Sequence, residues 1–210
     1  ISLDATSKLS GPAGGATTVA DGSNTKSDGD GIGAAVAIDS GTTAAATMLS
    51  GGTTFSAAGG VTAKATLATA RFAAQATAGA GAKDVGVAGA LAIHSGVVRA
   101  ESRVASTASL TFSNATKLSL ESAVTSSDAA QADGKVDAGG NSLGVGAAVA
   151  VNVADSTSLS VIDAAAALSG VGKLSLAATS DDTVSTTEIG RAPSELQSRQ
   201  YLVCRLLLEK

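Results

Sequence analysis

Apolar and polar residues alternate along most of this chain, and the pattern recurs. The segment GIGAAVAI occupies Gly31–Ile38, GVAGALAI occupies Gly86–Ile93 and GVGAAVAV occupies Gly144–Val151, with starts 55 and 58 residues apart. A second landmark keeps nearly the same step: ISLDA from Ile1, VTAKA from Val61, LSLES from Leu118 and LSLAA from Leu174. A large apolar residue stands shortly before each of the last three: Phe55, Phe112 and Leu168. Landmarks in one order and one spacing define an array of units of about 57 residues, and arrays build extended architecture.

The alternation predicts strands. Val36 and Ile38 point one way and Ala35 and Ala37 the other, and the same holds around Leu91 and Ile93 and around Val149 and Val151. With both faces apolar, these strands are expected to be covered on both sides, as in buried parallel sheets. Val36, Leu91 and Val149 are expected at equivalent inward positions, as are Phe55, Phe112 and Leu168. In the second landmark Leu118 and Leu120 alternate with Ser119 and Glu121, and Leu174 and Leu176 flank Ser175. That is the pattern of a half-exposed strand, apolar side inward.

Alanine-rich stretches such as Leu67–Ala78 and Ala164–Leu168 admit a helix. Recurrent Gly together with Thr, Val and Ser favours strands instead. Turn signals fall at Asp39-Ser40-Gly41, Ser50-Gly51-Gly52, Asp133-Gly134, Gly139-Gly140-Asn141 and Ser169-Gly170. Short strands, frequent turns and a fixed period predict an all-β fold, a β-solenoid. Coils of about 18–20 residues would put roughly three in each repeat and give a rod near 50 Å long at ~4.8 Å per coil. A string of β-sandwiches or a hairpin array would need fuller cores. The expected division is a partial repeat over 1–30 and repeats over 31–85, 86–143 and 144–187.

The strand G-[IV]-G-A-A-V-A-[IV], a polar turn, an Ala/Thr strand and a G-x-L-S-L segment together resemble the repeat regions of giant bacterial surface proteins. These are the filamentous haemagglutinin-like and leukotoxin-type filamentous adhesins. The resemblance spans about residues 31–187. It implies a secreted or cell-surface β-helical stalk or adhesive shaft, with the rest of a long chain and a host or neighbouring-cell surface as partners; the alternative is an adhesive binding module stiffened by Ca²⁺. It implies no catalytic residue. The start at Ile1, inside a landmark, predicts that the chain is a piece of something longer.

From Glu188 the composition changes to EIGRAPSELQSRQYLVCRLLLEK. This string resembles a translated sequencing adapter. GAG ATC GGA AGA GCA C encodes Glu188–Ala192, and further adapter stretches encode Pro193–Ser198 and Tyr201–Lys210, leaving Arg199 and Gln200. Residues 188–210 are therefore expected to be an artefact that does not continue the repeat. The alternative is a natural C-terminal helix beginning at Ser194. The chain carries a net charge of −4. Setting the tail aside removes the only Cys, Cys204, and the only Tyr, Tyr201, and leaves a charge of −5.

Mild acidity without a basic stripe or aromatic platform argues against a nucleic-acid partner. Apolar runs such as Leu143–Val151 are too short to span a bilayer. Without Cys, residues 1–187 can build no disulfide framework or thiolate metal site. Disorder is disfavoured by low charge and recurrent aliphatic pairs, least so over Ser7–Asp30.

The best metal candidate is Ser27-Asp28-Gly29-Asp30-Gly31, where Asp28 and Asp30 offer the oxygen ligands that Ca²⁺ takes, with Asp21 and Asn24 nearby. The EF-hand loop and the calcium β-roll repeat are absent. His94, the only histidine, aligns with Asp39 and Asn152 and is expected to be a solvated turn residue. Gly31-Ile32-Gly33 and Gly144-Val145-Gly146 lack the third Gly and the following helix of a dinucleotide site. Asn114-Ala115-Thr116 matches a glycosylation acceptor incidentally. Catalysis is not expected. Ser has no expected partner in a triad. Glu101, Glu121, Asp128 and Asp133 could face one groove for glycoside cleavage, but no Trp or Tyr in 1–187 could stack a sugar.

Overall fold

The computed structural model describes residues 1–8, 16–21, 25–56, 59–138 and 143–191. These form ten strands and no helix: β1 (Ser2–Lys8), β2 (Ala16–Asp21), β3 (Thr25–Ser27), β4 (Gly31–Leu49), β5 (Gly52–Phe55), β6 (Val61–Ala82), β7 (Val85–Val104), β8 (Ser109–Ala138), β9 (Leu143–Ile162) and β10 (Ala167–Arg191). The Ala-rich run Leu67–Ala78 lies in β6, and Ala164–Leu168 is a turn entering β10. The chain is all-β.

All pairings are parallel, in two sheets. The large sheet runs β1-β6-β8-β10, with β2 and β3 also on β6 and β5 on β8; the small sheet runs β4-β7-β9. Long strands of the two sheets alternate along the chain. Their register is the repeat itself: Gly31 pairs Gly86 and Gly86 pairs Gly144, while Val61 pairs Leu118 and Leu118 pairs Leu174. Each repeat thus adds one strand to each sheet. Parallel neighbours joined through long connections are what repeated units of this kind dictate.

The expected three short coils per repeat are not what forms. The long strands hold 19 to 30 residues, against a usual 5–6 or so. Several glycines read as turns are packing devices inside strands. Asp39-Ser40-Gly41 lies within β4 and Asp133-Gly134 within β8. A Cβ on Gly41 would overlap the Phe72 ring, and one on Gly134 would overlap the Ala147 backbone of β9. Ser169-Gly170 is a register shift within β10, with Gly170 at φ 71°. Gly139-Gly140-Asn141 lies outside the described residues. The true turn at Ser50–Gly51 does use a left-handed glycine, Gly51 at φ 76°.

The turns stack as the strands do. Ala105 N donates to Leu49 O at 2.8 Å and Asp163 N to Val104 O at 3.0 Å. Asp163 also accepts from Ser106 N and from Arg103 Nη1.

The sheets pack face to face with their strands running in opposite directions, so the start of β6 meets the end of β7. At one end Val61, Ala63, Leu118, Leu120, Leu110 and Phe112 pack with Leu49 and Val104. At the other, alanines of the large sheet (Ala74, Ala76, Ala78, Ala130, Ala132) meet Ala35, Ala37, Ala88, Ala90, Ala92 and Ala150. Between them lie Leu67, Phe72, Val98, Ala100 and Val124. One column of the small sheet donates hydroxyls to large-sheet carbonyls: Thr47 to Lys64 O at 2.8 Å, Ser102 to Ala63 O at 2.9 Å and Ser160 to Ala177 O at 2.7 Å. These bonds cross from sheet to sheet, as buried hydroxyls require.

Two expectations are corrected by this packing. Val36, Leu91 and Val149 do share one column, but that column faces outward: Val36 is 55% and Val149 50% exposed, while Ala37 and Ala92 are fully buried. Across the interior alanine meets alanine, and the larger residues are turned out. Phe55 pairs Phe112, but Leu168 pairs Leu110 rather than Phe112. The two-residue offset keeps Leu168 on the inner face, because the side-chain period is two. Finally, β10 runs through Thr187 to Arg191, with Glu188 opposite Ala132 and its Oε1 accepting from Ala150 N at 3.0 Å. Residues 188–191 therefore continue the pairing, since ladder bonds are made by backbone whatever the side chain. Residues 192–210 lie outside the described set.

Candidate functional site

Among the described residues, the densest cluster of chemically able side chains is inside the molecule, around His94. Its column in the small sheet reads Asp39, His94, Asn152, and it faces Phe72 and its partner Asp128 on the large sheet. His94 is fully buried, so the expected solvated turn is overturned. The reason is that β4, β7 and β9 do not turn at this column. His94 Nδ1 lies 3.1 Å from Asp39 Oδ2, and Nε2 lies 3.0 Å from Asp128 Oδ1. Phe72 stacks on the imidazole with ring centres 5.4 Å apart. Gly96 makes the room: a Cβ there would stand 2.8 Å from both Asp128 Oδ1 and His94 Nε2.

Two ring nitrogens between two carboxylates need two protons shared among the three groups. An imidazolium donating to both is one way; a neutral ring between a carboxylate and a carboxyl is the other. Either way the polar groups are satisfied in pairs, as burial demands. The network extends outward. The Ser126 hydroxyl lies 3.1 Å from Asp128 Oδ2 and 2.8 Å from Asp182 Oδ1. Ser156 and Ser180 each donate to Asp182 at 2.7 Å. Burial alone would raise the Asp182 carboxyl; the Ser156, Ser180 and Ser126 hydroxyls outweigh it and hold the group below its ordinary value. Asn152 Nδ2 donates to Asp128 O at 3.0 Å and Ser185 O at 2.9 Å.

Chemically, the arrangement is a lock between the sheets. A nucleophilic triad needs a hydroxyl on the imidazole. Here carboxylates take both nitrogens, and Ser126 faces Asp128 instead. The sequence carried one usable signal, the alignment of Asp39, His94 and Asn152; Asp128 arrives from the other sheet and had none.

Asp28 and Asp30 lie in the bend between β3 and β4, both exposed. Asp28 Oδ1 is 2.6 Å from Lys83 Nζ, so a lysine already stands on one of the two carboxylates. Among the described residues, no group of three or more His, Cys, Asp or Glu is placed to hold a metal. The side chain of Asp21 and the whole of Asn24 lie outside the described set. The carboxylates considered for one groove are dispersed. Glu101 sits on the small sheet between Arg99 and Arg103, Glu121 accepts from Ser119 at 3.1 Å, and Asp128 is in the core. A polar groove of about 380 Å³ on the large sheet is lined by Arg71, Thr125, Ser127, Asp181 and Thr183.

No helix among the described residues is long and apolar enough to cross a membrane. No family model, curated protein or solved structure matches the chain.

Proposed function

We propose that this chain is a segment of a structural rod or stalk, a β-solenoid of one coil per repeat, within a large secreted or cell-surface adhesin, and that it performs no catalysis. One observation carries the reading. Every long strand pairs in parallel with its own equivalent in the next repeat, in both sheets. Adding repeats then lengthens both sheets without changing either, which is how solenoids grow. The resemblance of residues 31–187 to filamentous adhesin repeats supplies the setting. The function is spacing and display: backbone ladders resist extension, and the inner core is closed by alanine contacts and cross-sheet hydroxyl bonds.

The test is a series with added copies of residues 86–143, measured by small-angle scattering. Each added repeat should lengthen the particle by ~4.8 Å at constant cross-section. Growth by tens of ångströms per repeat, as for separate beads on a string, would contradict the reading.

A further inference from the structure

The two outer faces of the molecule differ. The large sheet presents Lys64, Arg71, Gln75, Thr125, Gln131 and Lys173 along with serines and threonines. The small sheet, over the first half of its strands, presents aliphatic residues and no charge. Its rows across β4, β7 and β9 read Ile32/Val87/Val145, Ala34/Gly89/Ala147, Val36/Leu91/Val149 and Ile38/Ile93/Val151. Exposure reaches 72% at Ile32, 60% at Ile38 and 48% at Val145. Charge begins only further along, at Asp155 in the row of Val97, and then at Arg99, Glu101 and Arg103, which pair with one another.

With Val85, Leu143 and Val153, these side chains expose on the order of 1,000 Å². That is more than the ~300–600 Å² of the largest patch on a typical monomer. It matches the roughly 800 Å² that each partner gives a standard stable interface.

The relief of the face identifies the occupant. The row Ala34/Gly89/Ala147 is a furrow between two ridges of larger residues, and nothing lies within 4 Å of a Cβ placed on Gly89. A two-fold axis parallel to the rows, between this furrow and the Val36/Leu91/Val149 ridge, seats that ridge of each copy in the other's furrow and sets the Ile32/Val87/Val145 row of one against the Ile38/Ile93/Val151 row of the other. An uncharged surface with matched ridge and furrow is self-complementary, as an isologous contact requires. We propose that the aliphatic outer face of β4, β7 and β9 binds the same face of a second copy of this chain, pairing the molecules side by side. The parallel small sheet is then covered on both faces, as such sheets ordinarily are. The proposal rests on the pairing within the small sheet and not on the rod reading, so either can fail alone.

The experiment is sedimentation equilibrium of the full chain, 20.0 kDa as a monomer. The wild type should sediment at twice that mass. Leu91→Asp, which puts a charge in the centre of the ridge, and Gly89→Leu, which fills the furrow, should each weaken dimerisation at least 100-fold with unchanged far-UV circular dichroism. Lys173→Asp, on the large sheet, should leave the dimer intact. If Leu91→Asp does not fold, Gly89→Leu decides, because a Cβ there has nothing of its own molecule within 4 Å. Three results would overturn the proposal: a wild-type monomer at 100 μM, an oligomer that survives both face variants, or a monomer whose binding to phosphatidylcholine vesicles is abolished by Leu91→Asp.

Discussion

At the scale of residues, the buried ionisable side chains among the described residues gather in one place. Asp39, His94 and Asp128 are buried together and bridge the sheets. Removing the imidazole takes away the ring that bridges two buried carboxylates, and breaking a buried ionic group in this way costs ~3–5 kcal/mol. His94→Ala should lower unfolding free energy by about that much in urea titrations, whereas loss of a surface histidine would cost under about 0.5 kcal/mol. The outer end of the network sets a pH dependence. Hydroxyl bonds depress the folded-state Asp182 carboxyl, so the stabilisation is present above the carboxyl's unfolded value and is lost as pH falls through the folded one. Stability should therefore decline on the acid side, and Asp182→Asn should flatten that limb of the curve of melting temperature against pH. A limb unchanged in the variant would mean the hydroxyls do not hold the charged form. The bend at Asp28 and Asp30 makes the opposite kind of prediction. With Lys83 on Asp28, millimolar Ca²⁺ should leave the melting temperature unchanged. A rise that disappears in Asp28→Ala with Asp30→Ala would establish a site, because a ligand of the folded state must stabilise it.

At the scale of elements, strands and their partners were legible in the sequence, and faces and turns were not. The spacing of the glycine-led segments gave the register that β4, β7 and β9 adopt, residue for residue. Period-two alternation separates two faces without saying which is inner when both are apolar. Here alanine takes the inner face of the small sheet, opposite Ala74, Ala76 and Ala78 of the large sheet. Turn grammar misled for a related reason. Gly41 and Gly134 stand where Phe72 and the Ala147 backbone approach from the other sheet, and a glycine that admits a neighbour looks in sequence like one that bends the chain. His94 was misplaced with them, and its partner Asp128 is 34 residues away. Two substitutions test the packing. Phe112 is buried and stacks on Phe55 at 5.3 Å, so Phe112→Ala should cost about 3–5 kcal/mol. Ala92→Leu should cost about 1–3 kcal/mol or more by forcing the alanine faces apart, although leucine would suit a position facing solvent. A neutral Ala92→Leu would place that face outside the core.

At the scale of the whole molecule, the structure is a stack that adds one strand to each sheet per repeat. Its last layer shows what the next would cover. Leu118 and Leu120 are fully buried in β8, but Leu174 and Leu176, their partners in β10, are 46% and 45% exposed. Among the described residues no small-sheet strand lies beyond β9 to close over them. Appending one further copy of residues 86–143 should raise the melting temperature, as nearest-neighbour stacking predicts; an unchanged value would mean that repeats fold without supporting one another. The central claim, one strand spacing per repeat, is tested most directly by a distance. In a Cys204→Ser background, spin labels at Lys64→Cys and Ala177→Cys would sit on the outer face of the large sheet, in register through Glu121. Two parallel strand spacings put their backbones about 10 Å apart, and dipolar broadening in electron paramagnetic resonance should be strong. A separation of about 25 Å or more, the result of several short coils in each repeat, would contradict the account.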